Sequence, residues 1–369
     1  MFAEEAAGAS GVTVGAGGPT GSGAGGGSRE LPFQFTGNAS EYFGIWIVNV
    51  LLTVLTLGIY SAWAKVRTKN YFYRNTRLDG STFVYLADPL KILKGRMLVL
   101  AFFGVSFLTQ FISPILNLAL VLVLVLSTPA LLVLSTAFNA RNTAYRNLRF
   151  GFRGEISSAY WIFLKGGLVY LFTLGIGFPY FQQRLTRFIL GGHRYGTTPF
   201  SFQARVGQFY RCYLIAGLFA APGLIFFIAS MSSMAKGLGG RPPSAENLAG
   251  LFVALPLFYA GILLATGYLQ AQLANLVLSH VSIGPHRLNA KLEVWPVIWL
   301  LFSNAIAVVV SLGLLMPWAK VRFTRYRLSR LTLVAQGELD AQVDREFSER
   351  GALGDAADDL GAFDFDLGF

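Results

Sequence analysis

An eleven-residue stretch, Leu57-Gly58-Ile59-Tyr60-Ser61-Ala62-Trp63-Ala64-Lys65-Val66-Arg67, constrains this chain more than any other feature. It closes an uncharged run that begins at Tyr42 and passes abruptly into basic, aromatic sequence. The pattern returns twice. Leu174-Gly175 leads to Tyr180 and Arg184, and Leu312-Gly313 leads to Trp318 and Arg322. Four residues past each Arg stands another aromatic: Tyr71, Phe188 or Tyr326. A chain built on such a unit, with apolar runs long enough to cross about 30 Å of hydrocarbon, reads as an integral membrane protein with internal repeats.

Seven apolar segments are expected, at roughly 42–63, 97–112, 115–138, 160–181, 209–231, 249–278 and 295–318. Ser113-Pro114 makes the second and third a helical hairpin, and a Gly/Pro-rich loop around residues 236–246 joins the fifth and sixth. The order is single, hairpin, single, hairpin, single, which suggests a three-segment repeat. Only 13% of residues are charged and the mean hydropathy is +0.52, far from soluble composition. The lone Cys212 excludes an intrachain disulfide.

Charge falls into three regions. Residues 1–30 hold one Arg and three Glu, residues 31–337 hold 27 Lys/Arg against six Asp/Glu, and residues 338–369 hold two Arg against ten acids. The first region, rich in Gly, Ala and Ser, and the last, acidic one are expected to be disordered tails around a membrane domain at 31–337. The positive charge lies in the linkers, for instance five basic residues and no acid from Arg184 to Arg211. Basic flanks holding loops in the cytosol against anionic lipid account for this better than nucleic-acid binding. Length argues that the single segments span. Charge argues that they dip in and return, so that every basic linker stays on one side and only the hairpins cross; charge narrowly decides for this re-entrant arrangement.

Gly58, Gly175 and Gly313, with Pro179 and Pro317 four residues beyond two of them, mark expected helix breaks. The segment after each break is expected to be an amphipathic helix lying on the cytosolic surface. Its lipid-contacting residues would be Trp63, Lys65, Arg67 and Tyr71, then Tyr180, Arg184 and Arg187, and Trp318, Lys320, Arg322, Arg325 and Tyr326. Polar residues inside the apolar runs, Asn49, Thr53, Lys165 and Asn304, call for partners; helix-to-helix hydrogen bonding is the plainer account, a polar path or ligand site the sharper one. Phe33-Gln34-Phe35, Phe83-Val84-Tyr85, Phe150-Gly151-Phe152 and Phe200-Ser201-Phe202 read equally well as brief strands or as interfacial anchors.

The stretches Glu41-Tyr42-Phe43, Leu57 to Arg67, Tyr71-Phe72-Tyr73, Asn75-Thr76, Leu93-Lys94-Gly95-Arg96 and Gly196 to Phe200 resemble the YjgN family. The likeness covers about residues 31–337. It implies a multi-pass protein of the bacterial cytoplasmic membrane, whose shared domain has no assigned function, and it carries over no catalytic residue.

No nucleotide-binding loop, nucleophile elbow or zinc-peptidase motif is present, and His193, His280 and His286 lack metal-ligand spacing. The expected protein is therefore an all-α membrane protein with no cofactor, no enzymatic activity and anionic lipid headgroups as partners. Two functions fit it. A transporter or channel-like carrier is favoured by repeats and intramembrane Asn. A non-transporting lipid-binding or membrane-organising protein is favoured by the aromatic and basic segments.

Overall fold

The computed structural model describes residues 28–237 and 244–336. The expectations for most of the first 30 residues, for the 236–246 loop and for the acidic 338–369 segment lie outside them. Strand β1 (Ser28–Phe35) is followed by helices α1 (Ala39–Leu55) and α2 (Ser61–Arg74), then strands β2 (Thr76–Leu78) and β3 (Ser81–Tyr85). The same alternation continues through α3 (Pro89–Ile112), α4 (Pro114–Arg141), β4 (Thr143–Tyr145), β5 (Leu148–Phe152), α5 (Ile156–Phe172), α6 (Phe178–Gly192), β6 (His193–Tyr195) and β7 (Thr198–Phe202). It ends with α7 (Val206–Gly237), α8 (Ala245–Ser279), β8 (Val281–Ile283), β9 (His286–Ala290), α9 (Val294–Val310), α10 (Met316–Ser329) and β10 (Leu331–Gln336).

The all-α expectation is overturned: the ten strands close into one antiparallel barrel, β1-β10-β9-β8-β7-β6-β5-β4-β3-β2. Four two-residue turns make the hairpins. Asp79 and Gly80 have φ of 46° and 75°, and Arg146 and Asn147 have 48° and 63°, the left-handed pairs that match strand twist. The barrel closes where β1 meets β10, with Leu31 opposite Leu333 and Ser28 opposite Gln336. Ten strands enclose more room than the eight whose interior side chains just fill. Aromatic rings take up the extra space. Phe33 stacks on Phe83, Phe83 on Tyr145, and Tyr195 lies against both Tyr145 and Phe150. With Leu31, Leu78 and Leu333 they form a packed plug. The Tyr145 hydroxyl donates to Leu78 O at 2.7 Å and that of Tyr195 to Tyr145 O at 3.0 Å, so the buried phenols are satisfied.

The helices form a ring above the barrel, each packed on its neighbours in sequence and α10 on α1. Four of them, α3, α4, α7 and α8, are long and apolar enough to cross a membrane; α1, α5 and α9 are apolar but only 17 residues long. The seven single apolar segments are thus replaced by two long helix pairs and three short ones, and the recurring unit is strand, helix, helix, strand rather than three apolar segments. The helices after segments 1, 4 and 7 do not lie flat on a surface. Asn49 meets Ala64 near the tip of the first pair and Tyr42 stacks on Tyr71 at its base, so α2 runs back antiparallel to α1.

The reversal has the same geometry three times. Leu57, Leu174 and Leu312 are left-handed at φ 50°, 51° and 51°, and Gly58, Gly175 and Gly313 follow at 94°, 92° and 90°. The Gly N–H groups reach back to Thr53 O, Tyr170 O and Val308 O at 2.7–2.8 Å, the 6→1 bond that ends a helix on a left-handed residue. Thr56, Thr173 and Ser311 hydroxyls accept from the N–H of Tyr60, Gly177 and Leu315, at 2.9, 2.7 and 3.0 Å, satisfying donors at the start of the returning helix. Pro179 and Pro317 sit in the first turn of α6 and α10, where a missing N–H costs nothing; they start the second helix rather than kinking the first. A left-handed Leu costs about 1–2 kcal/mol, yet all three are 93–94% exposed at apolar tips, which suits hydrocarbon and no aqueous surface. Gly58→Ala adds a Cβ that meets nothing within 4 Å, so its cost is backbone strain alone. It should lower stability by about 1–2 kcal/mol in reversible unfolding in bicelles.

Candidate binding chamber

The sequence-predicted polar residues are brought into the hairpins as fasteners. Asn49 Nδ2 donates to Ala64 O and Asn304 Nδ2 to Ala319 O, both at 3.4 Å, and Arg322 Nη1 donates to Asn304 Oδ1 at 3.2 Å and to Ser303 Oγ at 2.6 Å. The second pair has Gly166 at the Asn position and Phe181 at the Ala position; the Phe181 ring fills the space and leaves no room for a Cβ on Gly166. A polar fastener in two pairs is exchanged for a shape fit in the third. Thr53 donates to Asn49 O within its own helix at 2.6 Å, and the exposed Lys165 lies over Trp161, so these residues do not converge on a polar path.

The aromatic four residues past the signature Arg closes each base. The Tyr71 hydroxyl accepts from Asn38 N at 2.7 Å and donates to Asn38 O at 2.6 Å; Tyr326 does the same with Glu293 at 3.0 and 3.3 Å. Phe188, lacking the hydroxyl, packs on Phe152 instead. Among the other expected lipid contacts, Trp63 stacks on Tyr60, Arg67 donates to Tyr60 Oη at 3.0 Å, Arg184 covers Tyr180, and Arg322 covers Trp318. Lys320 lies over Phe72 and Tyr42, Arg187 donates to Ala204 O, and Arg325 donates to Gly37 O, tying α10 to the start of the first pair. Lys65 lies half-buried on α2. Arg322, Arg325 and Tyr326 come together with Pro296 and Trp299 along a 470 Å³ groove.

Where barrel and helix ring meet, a chamber of about 590 Å³ opens, within the roughly 300–1,000 Å³ usual for ligand pockets. Its floor is the upper face of the plug: Phe33, Phe83, Phe150 and Phe200, the leading residues of the four aromatic pairs. Its walls come from the strand-proximal ends of α2, α4, α8 and α10, with Tyr73, Asn139, Leu278 and Arg327 among them. Thr76 and Thr143 hydroxyls are satisfied by Phe72 O and Asn139 O one turn back, at 2.8 and 2.9 Å. Asn139 accepts from Lys69 Nζ at 2.5 Å. Among the described residues no carboxylate lines the chamber and none pairs with Arg327, whose guanidinium lies over Phe323. Arg327 also borders a second cavity of about 370 Å³ between α8, α9 and α10, lined by Leu273, Ala274, Val277 and Val297. The two cavities share Leu278, Leu292, Phe323 and Arg327, so a cation stands where an apolar side opening joins an apolar chamber. Sequence reasoning missed Arg327; its only signal was membership of the basic run Lys320 to Arg330.

His193 lines the same chamber, its Nδ1–H donating to Ile189 O at 2.6 Å and its ring against Phe152 and Phe200. Burial holds its pKa below the ordinary 6.5. The unfolded chain therefore takes up this proton first: stability is complete above 6.5 and declines as pH falls through that value. The melting temperature of the wild type should drop more between pH 7.5 and 5 than that of His193→Gln. The fastener exchange is also testable. Gly166→Asn alone should destabilise by about 1–3 kcal/mol through overpacking against Phe181, and Gly166→Asn with Phe181→Ala should recover most of it in a double-mutant cycle.

Comparison with known proteins adds a family. A family model described as a bacterial protein of unknown function (DUF898) matches residues 30–360. Inner membrane protein YjgN of Salmonella typhimurium is 27% identical over 353 residues, covering 83% of this chain and 89% of that relative. The protein of the same name from Escherichia coli K12 is 29% identical over 150 residues, 40% of this chain and 37% of the relative. No solved structure matches the chain.

Proposed function

We propose that this chain, which belongs to the DUF898 family of bacterial proteins and with it to the YjgN inner-membrane proteins, holds an anionic amphiphile in the chamber between barrel and helix ring. Its place is the bacterial inner membrane, with helices able to cross it. One observation carries the reading: Arg327, without a carboxylate partner among the described residues, stands at the junction of an apolar chamber and an apolar side opening between α8 and α10. A molecule with a fatty tail and an acidic head has the chemistry for this place. The tail removes ring and leucine surfaces from water at about 25 cal/mol per Å², and the head pairs with the exposed guanidinium at the chamber's rim. A lipid arriving from the bilayer meets the side opening first.

Of the two functions the sequence left open, binding is favoured over carriage. The barrel beneath the chamber is filled by the aromatic plug, whose two tyrosines are bonded to backbone carbonyls, so a solute has no open way through it. The basic residues at the strand-proximal ends of α2 and α10, such as Arg74, Arg327 and Arg330, together with Arg77, Arg146, Arg149 and Arg194 on the barrel, support a barrel on the cytosolic side by the positive-inside rule. An enzymatic role has no support among the described residues of the chamber, which bring no acid and base pair together.

Purification in a mild neutral detergent followed by native mass spectrometry tests the reading. The wild type should retain a lipid-sized anionic adduct, and Arg327→Gln should lower its occupancy roughly tenfold, the loss of one charge-assisted contact. Equal retention by both proteins, or a bare wild type even after anionic lipid is added, would sink it.

A further inference from the structure

The outer wall of the barrel carries a second place that the chamber does not use. Side chains alternate along a strand, so with Leu78, Phe83 and Tyr145 turned into the plug, Arg77, Thr82, Val84, Ala144 and Arg149 face outward. They line a polar groove of about 600 Å³ across the hairpins β2–β3 and β4–β5, completed by Gly80, Ser81, Leu86, Arg146 and Asn147.

The groove is built and held. Arg146 Nη2 donates to Asp79 Oδ2 at 2.8 Å and to Asp79 O at 3.0 Å, and its Nε donates to Ser81 Oγ at 3.1 Å, clamping one hairpin turn to the other. Asp79, the carboxylate beside the groove, is thereby occupied, and Arg29 approaches its other oxygen at 3.5 Å. Arg77 and Arg149 are exposed and have no acidic partner among the described residues. They stand on β2 and β5, three strands across and two residues out of register, with Thr82, Val84 and the small Ala144 between them.

We infer that this groove binds a phosphate ligand carrying more than one charge, with Arg77 and Arg149 as its two arms and the Ser81 and Thr82 hydroxyls beside its floor. Guanidinium pairs with phosphate oxygens through two parallel hydrogen bonds, and two arms across this width suit a chain of phosphates or adjacent lipid headgroups better than one small ion. The shared chemistry is phosphate, and its source is either soluble polyphosphate or the headgroup layer next to the barrel.

The test uses the full chain and inorganic tripolyphosphate, titrated by calorimetry into protein held in phosphatidylcholine nanodiscs. The wild type should bind, with affinity falling as salt rises, and Arg77→Gln/Arg149→Gln should weaken binding at least roughly tenfold while its melting temperature stays unchanged. Arg327→Gln should bind tripolyphosphate like the wild type, which separates this groove from the chamber. Repeating the titration in discs containing phosphatidylglycerol tells the sources apart: undiminished affinity assigns the groove to a soluble phosphate, and competition by the disc assigns it to headgroups. Equal affinity of the wild type and the double variant overturns the proposal. So does binding that appears only once residues 338–369 are removed, which would hand the groove to the acidic tail.

Discussion

The pairing of β1 with β10 is the contact on which the rest of this structure depends. Strands of three to eight residues have little stability of their own, and an open sheet of them would leave two unpaired edges. Closure removes both. It also brings the first and last helix pairs together, with Arg325 of α10 bonded to Gly37 and Lys320 lying over Tyr42 and Phe72. Without it the helix ring has no reason to close, and the chamber, walled by α2, α4, α8 and α10 and floored by β1, β3, β5 and β7, has no shape.

Much of this was written in the chain and part of it was hidden. The three reversals were legible because each needs a Leu-Gly pair, and their place within a residue or two could be read from Gly58, Gly175 and Gly313. The number of helices was not, because the tips are themselves apolar. Leu57 is 94% exposed, so the uncharged run from Tyr42 to Trp63 continues through the turn and counts as one long helix when it is a helix, a reversal and the start of another. The strands were half-legible. The aromatic pairs showed where four of them lie, and Asp79-Gly80 between Leu78 and Ser81 was a hairpin signal easily lost within a basic linker. Three-residue strands such as Thr76–Leu78 are too short for an alternating pattern to register, and nothing local tells Leu31 that its partner is Leu333.

The candidate site divides in the same way. Asn49 and Asn304 announced themselves as polar residues in apolar runs, and both serve packing. Arg327 did not stand out among Lys320, Arg322 and Arg325, since all four share one basic segment. What separates them is the rotation of α10. Arg322 turns back to α9, Arg325 towards Gly37 and Arg327 into the chamber, a choice made by the packing of neighbouring helices. The exchange of Asn and Ala for Gly166 and Phe181 makes the same point: one geometry is reached by two chemistries, and only the geometry recurs.

The seam between β1 and β10 also sets an order of events during synthesis. About 300 residues separate the two strands, so at about 5–20 residues per second the ribosome needs on the order of 15–60 s to make the partner that β1 awaits. Throughout that interval the sheet grows from β1 hairpin by hairpin, with one edge bare and one edge advancing. Helix pairs that enter the bilayer as they emerge would each hold their flanking strands beside those already made. By the time β10 leaves the ribosome, nine strands stand in sequence on a membrane-anchored frame, and the last step is a short lateral closure instead of a search by a free chain. On that order the bilayer would be more than this protein's solvent; it would be the template on which its barrel is put together.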